Sequence, residues 1–164
     1  MNRFNKSLLA CGLLAAASPL WGGQATGNFG VSGTVVSTCT VSGTALSFGT
    51  TIPTPIASNV DAQTTVTATC SNGTPYTILL GAGGGAGATV AVRKLTSGGN
   101  TINYSLYTDT NRTSIWGDGT LGTTTVGGNG NGAAQPVTVF GRIPATQTVP
   151  IGTYTDTIQI TLNF

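Results

Sequence analysis

The chain has 164 residues, enough for one domain, with a formal net charge of +2 and no histidine. Arg3 and Lys6 stand at the very start; beyond them Arg93, Lys94, Arg112 and Arg142 are balanced by Asp61, Asp109, Asp118 and Asp156. That balance leaves no basic footprint for nucleic acid, and the absence of histidine and glutamate removes the commonest general base and the usual catalytic triad.

The first segment, "MNRFNKSLLACGLLAAASPLWGGQATG", has the pattern of a secretory signal over residues 1–25. Arg3 and Lys6 form a basic start, Leu8 to Leu20 a short apolar stretch, and Gly23-Gln24-Ala25 a small-residue cleavage site. The apolar stretch is too short and interrupted to span a bilayer. Leu8-Leu9-Ala10-Cys11 looks like a lipoprotein box, but it lies too close to Lys6 to have an apolar core ahead of it, so a lipid anchor is rejected. The mature chain is therefore expected to have no membrane insertion.

"GNFGVSGTVVSTCTV" follows. Phe29, Val31, Gly33 and Val35 alternate with Gly30, Ser32 and Thr34, the period of an amphipathic strand. Two readings are open: an ordinary first strand, or a free donor strand that pairs with another copy. Cys39 and Cys70 survive cleavage of the leader, and in an exported chain such a pair reads as a disulfide. Its closure should contribute roughly 3–4 kcal/mol in the chain-entropy description. Two thiols without an imidazole do not make a structural zinc site.

No segment has a helical period. Short alternating runs rich in Thr, Val and Ile predict an all-β sandwich. The expected strands are Phe29–Val41, Ala45–Phe48, Thr64–Cys70, Tyr76–Leu80, Thr89–Leu95, Thr101–Tyr107, Thr120–Val126, Val137–Gly141 and Thr153–Phe164. Ser71-Asn72-Gly73 and Ser97-Gly98-Gly99-Asn100 read as hairpin loops. "GAGGGAG" from Gly81 and "GGNGNGAAQP" from Gly127 read as loops; a phosphate cradle would need a following helix and a Lys-Ser/Thr pair, which neither has. Asp109 and Asp118 flank "TNRTSIWG" and read as turn formers rather than calcium ligands, since the spacing and closing Glu of a calcium loop are missing. Three Asn-x-Ser/Thr sequons, at Asn72, Asn103 and Asn111, decide nothing in so Asn- and Thr-rich a chain. An isopeptide bond would have to use Lys94, and nothing points to one.

The chain ends "TYTDTIQITLNF". Tyr154, Asp156, Ile158, Ile160, Leu162 and Phe164 share one face, and Thr153, Thr155, Thr157, Gln159, Thr161 and Asn163 the other. A terminal strand this apolar belongs inside a sheet.

Four stretches carry a family resemblance: "VSTCTV", "TVTATCSNGTPYTILL", "INYSLYTDTNRTSIWGDGT" and "VTVFGRIPATQTVPIGTYTDTIQITLNF". In that order they resemble the spore-coat-protein-U-like family, which includes subunits of archaic chaperone–usher pili. The Trp-Gly-Asp-Gly and Gly-Thr-Tyr-Thr-Asp pieces are the specific ones. The resemblance implies an incomplete immunoglobulin-like β-sandwich over 38–164, completed by donor-strand complementation, with 26–37 as donor extension. Phe29, Val31, Gly33 and Val35 would be the donor residues. Ile158, Ile160, Leu162 and Phe164 would wall the acceptor groove, with Cys39 and Cys70 as brace. Gly33 departs from the pattern, because a larger apolar residue is expected there. The implied partners are a periplasmic chaperone, which lends a strand and meets the Phe164 carboxylate, an outer-membrane usher, further copies of the chain, and other pilus subunits. The implied product is a fibre for surface attachment and biofilm formation, with no enzyme activity, cofactor or metal. Two rival readings share the sandwich: a spore or cell coat protein, and a carbohydrate binder that stacks sugars on Trp116, Tyr104 and Tyr107.

Overall fold

A computed structural model describes residues 22–164; the expected leader lies almost entirely outside the described residues. The chain divides into two units, Met1–Thr34 and Val35–Phe164. In the first, residues 22–34 carry no regular secondary structure and are exposed. Phe29 and Val31 there are 87% and 84% exposed.

The second unit is all β. Its strands are β1 (Cys39–Gly43), β2 (Val60–Cys70), β3 (Pro75–Leu80), β4 (Arg93–Ser97), β5 (Asn100–Tyr107), β6 (Val126–Asn129), β7 (Ala134–Ile143) and β8 (Ile160–Asn163). They form two sheets, β1-β2-β7-β5-β4 and β6-β3-β8, with every ladder antiparallel. The faces follow from residue alternation. Val66, Ala68 and Cys70 of β2 point inward, as do Tyr76, Ile78 and Leu80 of β3 and Ile102, Tyr104 and Leu106 of β5. Thr fills many outward positions, where a β-branched side chain suits the pleat. Cys39 and Cys70 face each other across β1 and β2 and are joined by a disulfide.

One side of the sandwich is stitched shut. Trp116 is fully buried; its N–H donates to the Leu106 carbonyl at 2.8 Å and its indole Nε1 to the Ile78 carbonyl at 3.1 Å. Arg93 is buried beside it. Nε donates to the Gly81 carbonyl at 2.8 Å, and Nη2 to the carbonyls of Trp116 at 2.8 Å and Leu80 at 3.1 Å. Burial lowers the Arg93 pKa, and the nearby Tyr104, Asp156 and Asp118 oppose that shift. The two sheets are thus held together through one tryptophan and one guanidinium. With Trp116 and Tyr104 buried in the core, neither ring is available to stack on a sugar.

Several expected elements differ. The strand expected over Phe29–Val41 joins a ladder only from Cys39, and Ala45–Phe48 joins none. The run Thr89–Leu95 turns at Thr89–Val92, where the Thr89 N–H donates to the Val92 carbonyl, and becomes a strand at Arg93. Thr120–Val126 is mostly loop, held by Asp118, which accepts from the Thr120 N–H and hydroxyl. Asp109 closes the preceding turn by accepting from Thr113 and Ser114. Ser71-Asn72-Gly73 is not a hairpin but the crossing from one sheet to the other, whereas Gly98-Gly99 does turn β4 into β5. The second glycine loop is shorter than its composition suggests, because β6 and β7 take up its ends.

Replacing Cys39 and Cys70 by Ser should lower unfolding stability by roughly 3–4 kcal/mol in denaturant titration, if β1 is otherwise unchanged. Across β2 and β7, Asp61 accepts two hydrogen bonds from Arg142, at 2.7 and 2.8 Å, and lies 3.3 Å from Arg112 Nε. The Arg142 hydrogen bond is the main cause of its lowered pKa, with Arg112 adding to it. This stabilisation is complete above the ordinary aspartate value of 3.8 and fades as pH falls through the lower folded value. Asp61→Asn should cost less than about 1 kcal/mol at neutral pH, since the group is part-exposed, and should flatten the loss of stability below pH 4.

Candidate functional site

The other side of the sandwich is open. After β1 the chain runs on through Thr44–Ile56 without a ladder, and residues 147–159 approach β8 the same way. The two segments meet at one end through the antiparallel Ile56–Gln147 bridge. At the other end the Ile160 side chain lies against Gly43, where an added Cβ would come within 2.7 Å of Ile160 Cδ1. Between these ends lies a groove.

Its wall shows why it is open. The C-terminal segment alternates as its sequence does: Tyr154, Asp156, Ile158, Ile160 and Leu162 are half-buried, and the residues between them are exposed. Thr155 exchanges hydrogen bonds with Thr96, the Gly81 N–H donates to the Gln159 carbonyl, and Thr161 and Asn163 lie opposite Leu79 and Thr77. All these partners lie on one edge. In an extended chain the peptide groups of alternate residues face opposite edges. Those of Asp156, Ile158 and Ile160 therefore face the groove. Among the described residues, the backbone N–H and C=O of Ile158 have no backbone partner, and neither do those of Leu46 and Phe48 on the facing segment.

Two cavities occupy the groove. One, of about 430 Å³, is lined by Leu46, Val66, Leu106, Val139, Ile158 and Ile160 among others. The second, of about 580 Å³, continues past Ile52, Ile102, Val149 and Tyr154. Leu46, Phe48 and Leu95 border both and mark the step between them. Phe48 packs edge-on against Tyr104 at 5.9 Å, and Gly141 gives the room beneath: a Cβ there would meet Leu46 and Phe48 at 3.0 Å.

Beside that step sits a polar residue in the apolar face. Asp156 Oδ2 accepts from the Tyr104 hydroxyl at 2.7 Å; Oδ1 accepts from the N–H groups of Gly84 and Thr157, each at 2.8 Å. Burial, and then the bond to Asp156, push the Tyr104 pKa far upward, so the phenol remains a donor at any physiological pH. Gly83 has φ +85°, and a Cβ there would run into the Asp156 carboxylate. The glycine-rich loop from Gly81 is therefore moulded onto Asp156. Sequence reasoning passed over this role, although Asp156 is the one charged residue on the face of an otherwise apolar strand.

Of the residues expected to form a site, Ile158 and Ile160 line the groove, Leu162 is half-buried beyond it, and Phe164 is 61% exposed. Val35, 99% exposed, opens the second unit, while Phe29, Val31 and Gly33 belong to the first.

Residues 25–161 match the Spore Coat Protein U domain, and the chain belongs to that family. It is 34% identical to Protein U of Myxococcus xanthus over an alignment of 172 positions that covers 96% of this chain and 95% of that protein. Its fold is similar to that of a chain in the CsuC–CsuE chaperone–tip adhesion subunit pre-assembly complex from the archaic chaperone–usher Csu pili of Acinetobacter baumannii. The TM-score is 0.57, with 23% identity over 80% of this chain and 40% of that one.

Asp156→Ala should lower stability by about 1–3 kcal/mol, since it leaves the buried Tyr104 hydroxyl without its acceptor and frees the glycine-rich loop. Hydrogen exchange at Gly84 should rise in the same variant while exchange in β2 and β7 stays slow.

Proposed function

We propose that this member of the spore coat protein U family is an exported structural subunit that does no chemistry and assembles by strand donation. One observation carries the reading. Among the described residues, the C-terminal strand has its backbone hydrogen-bonding partners on one edge, and its other edge borders an apolar groove. An added strand would pair that edge and cover the groove together, which is β-augmentation.

The donor is the N-terminal extension, residues 26–37, of another copy. Its apolar residues Phe29, Val31 and Val35 recur at every second position, as insertion into a groove requires, with Gly33 between them. Burying the three should contribute about 1.5–3 kcal/mol each before ordering costs, and a ladder of backbone hydrogen bonds adds to this. Contact between the front of one subunit and the tail side of the next is head-to-tail and does not close, so it builds a fibre.

Before assembly the groove needs a temporary cover. A periplasmic chaperone lends the strand. An outer-membrane usher then exchanges the chaperone for the next subunit. The leader takes the chain to the periplasm, and the fibre serves attachment and biofilm formation at the cell surface. The fold likeness to a chain of a chaperone–subunit complex supports this course. The near full-length kinship with Protein U of Myxococcus xanthus supports a second product of the same subunit, a coat layer. Electron microscopy of producing cells separates thin fibres from an amorphous layer.

Deleting residues 29–35 should give a chain that is insoluble or unstable alone, is rescued by the cognate chaperone, and forms no polymer. A soluble, cooperative monomer from that deletion, with no tendency to associate, would overturn the proposal.

A further inference from the structure

The inward faces of donor and acceptor each contain one residue that breaks the apolar run. On the donor it is Gly33, among Phe29, Val31 and Val35; on the acceptor it is Asp156, among Tyr154, Ile158 and Ile160. Resting on the strand-donation reading, we infer that these two residues set its register: the donor of a second copy lies antiparallel to the C-terminal strand with Gly33 opposite Asp156.

The pairing follows from counting. With Gly33 on Asp156, Phe29 falls opposite Ile160, Val31 opposite Ile158 and Val35 opposite Tyr154. Every apolar donor residue then meets an apolar acceptor residue. A slip of two residues one way sets Val35 on Asp156 and leaves Gly33 over Ile158. A slip the other way sets Val31 on Asp156. Either slip buries a carboxylate under a branched side chain and wastes an apolar site on glycine. Asp156 cannot swing aside to relieve this, because both its oxygens are held, by Tyr104, Gly84 and Thr157. Burying a charged group under an apolar side chain is costly.

The groove has the matching relief. Its two cavities meet at the step formed by Leu46, Phe48 and Leu95, close to the Asp156–Tyr104 pair. Phe29 and Val31 fall to the cavity lined by Ile158 and Ile160, and Val35 to the one lined by Tyr154. Gly33 carries no side chain over the step. The departure from the family pattern at this position is thus a fit to the groove.

Direction also separates a second copy from self-insertion. Segment 43–56 runs antiparallel to 147–160, since Gly43 adjoins Ile160 and Ile56 pairs with Gln147. Cys39 therefore lies beyond the Ile160 end. The four steps from Val35 to Cys39 reach about 14 Å at most, while Tyr154 is about 20 Å further along the groove from Ile160 alone. A chain cannot place its own Val35 at Tyr154. Its own segment could enter only in the parallel sense, which puts Phe29 towards Asp156 and Gly33 towards Ile160.

Cysteine cross-linking of the full chain, expressed with its export route intact, tests the register. In the inferred register Ser32 lies opposite Thr157 as an outward, non-hydrogen-bonded pair, with Cα atoms about 4.5 Å apart and within disulfide reach. Ser32→Cys with Thr157→Cys should convert the polymer into a reducible covalent ladder. Ser32→Cys with Gln159→Cys or with Thr155→Cys should not. Ser32, Thr155, Thr157 and Gln159 are exposed, so these variants leave the core intact. Gly33→Leu should slow ladder formation by about tenfold or more, an overpacking effect, whereas Val31→Leu should change it by less than about threefold. A ladder strongest with Gln159→Cys or Thr155→Cys, or indifferent to Gly33→Leu, overturns the register while leaving strand donation standing. A link confined to monomer mass, or polymer absent with every pair, overturns strand donation and the register with it.

Discussion

A peptide group that is taken from water must be paired, and along one seam of this sandwich the peptide groups of Ile158, Leu46 and Phe48 have no backbone partner among the described residues. That constraint orders the rest of the molecule. On its first edge the C-terminal strand bonds Thr96 of β4 at Thr155, Gly81 at Gln159 and β3 from Ile160 onward. Its second edge faces Leu46 and Phe48, on the other side of the same seam. The two rows stand on either side of a groove floored by Val66, Leu106 and Val139. Ordinary collapse would close such a gap, by sliding one segment onto the other.

What prevents collapse is the opposite side. Trp116 and Arg93 tie the sheets at fixed separation, through carbonyls of Ile78, Leu80, Gly81 and Trp116 itself. The three hydrogen bonds that the buried guanidinium donates, with the neighbouring Tyr104, Asp156 and Asp118, counter part of its burial cost, though burial still lowers its pKa. Asp156 then links the closed side to the open one. Its carboxylate joins Tyr104 of β5 to the glycine-rich loop after β3, and its own strand forms the groove wall. At the groove's ends the Ile56–Gln147 bridge and the contact of Ile160 with Gly43 act as stops. The opening is held at its width by the fold, so on the strand-donation reading an incoming strand would meet a formed site, with little ordering cost on the acceptor.

Much of this was legible in the residues, and the failures share a cause. Period-2 alternation placed strands over parts of β2, β3 and β5 and found the inward face of the C-terminal strand, down to the half-buried Tyr154, Asp156, Ile158, Ile160 and Leu162. It could not say where a ladder would form, because a ladder needs a neighbour. Ala45–Phe48 has strand periodicity and buries Leu46 and Phe48 to a degree, yet it is no strand, since its outer edge faces the groove. Residues 153–159 fail for the same reason. Arg93 was invisible as a core residue because charge predicts exposure; its place between Ala91 and Leu95 on one face was the only hint. The Ser71–Gly73 turn was misjudged because turn chemistry does not reveal whether the next strand stays in the same sheet.

The position of the disulfide acquires a mechanical sense on the strand-donation reading. A donor seated in a neighbour is connected to its own domain only through residues 36–38, and the next residue is Cys39. That residue is bonded to Cys70 at the end of β2. β2 is paired with β7 over ten residues, from Val60 with Ile143 to Thr69 with Ala134. Tension along a fibre would leave the groove of one subunit, pass the short connector, and enter the next through a covalent bond to a central strand. Without that bond, β1 would have to carry the pull through its five-residue ladder at the sheet edge, where hydrogen bonds can break in succession. Force applied across the disulfide is instead shared by the long β2–β7 ladder, whose bonds must yield together. The brace therefore belongs between the connector and the central sheet, and that is where Cys39 and Cys70 stand.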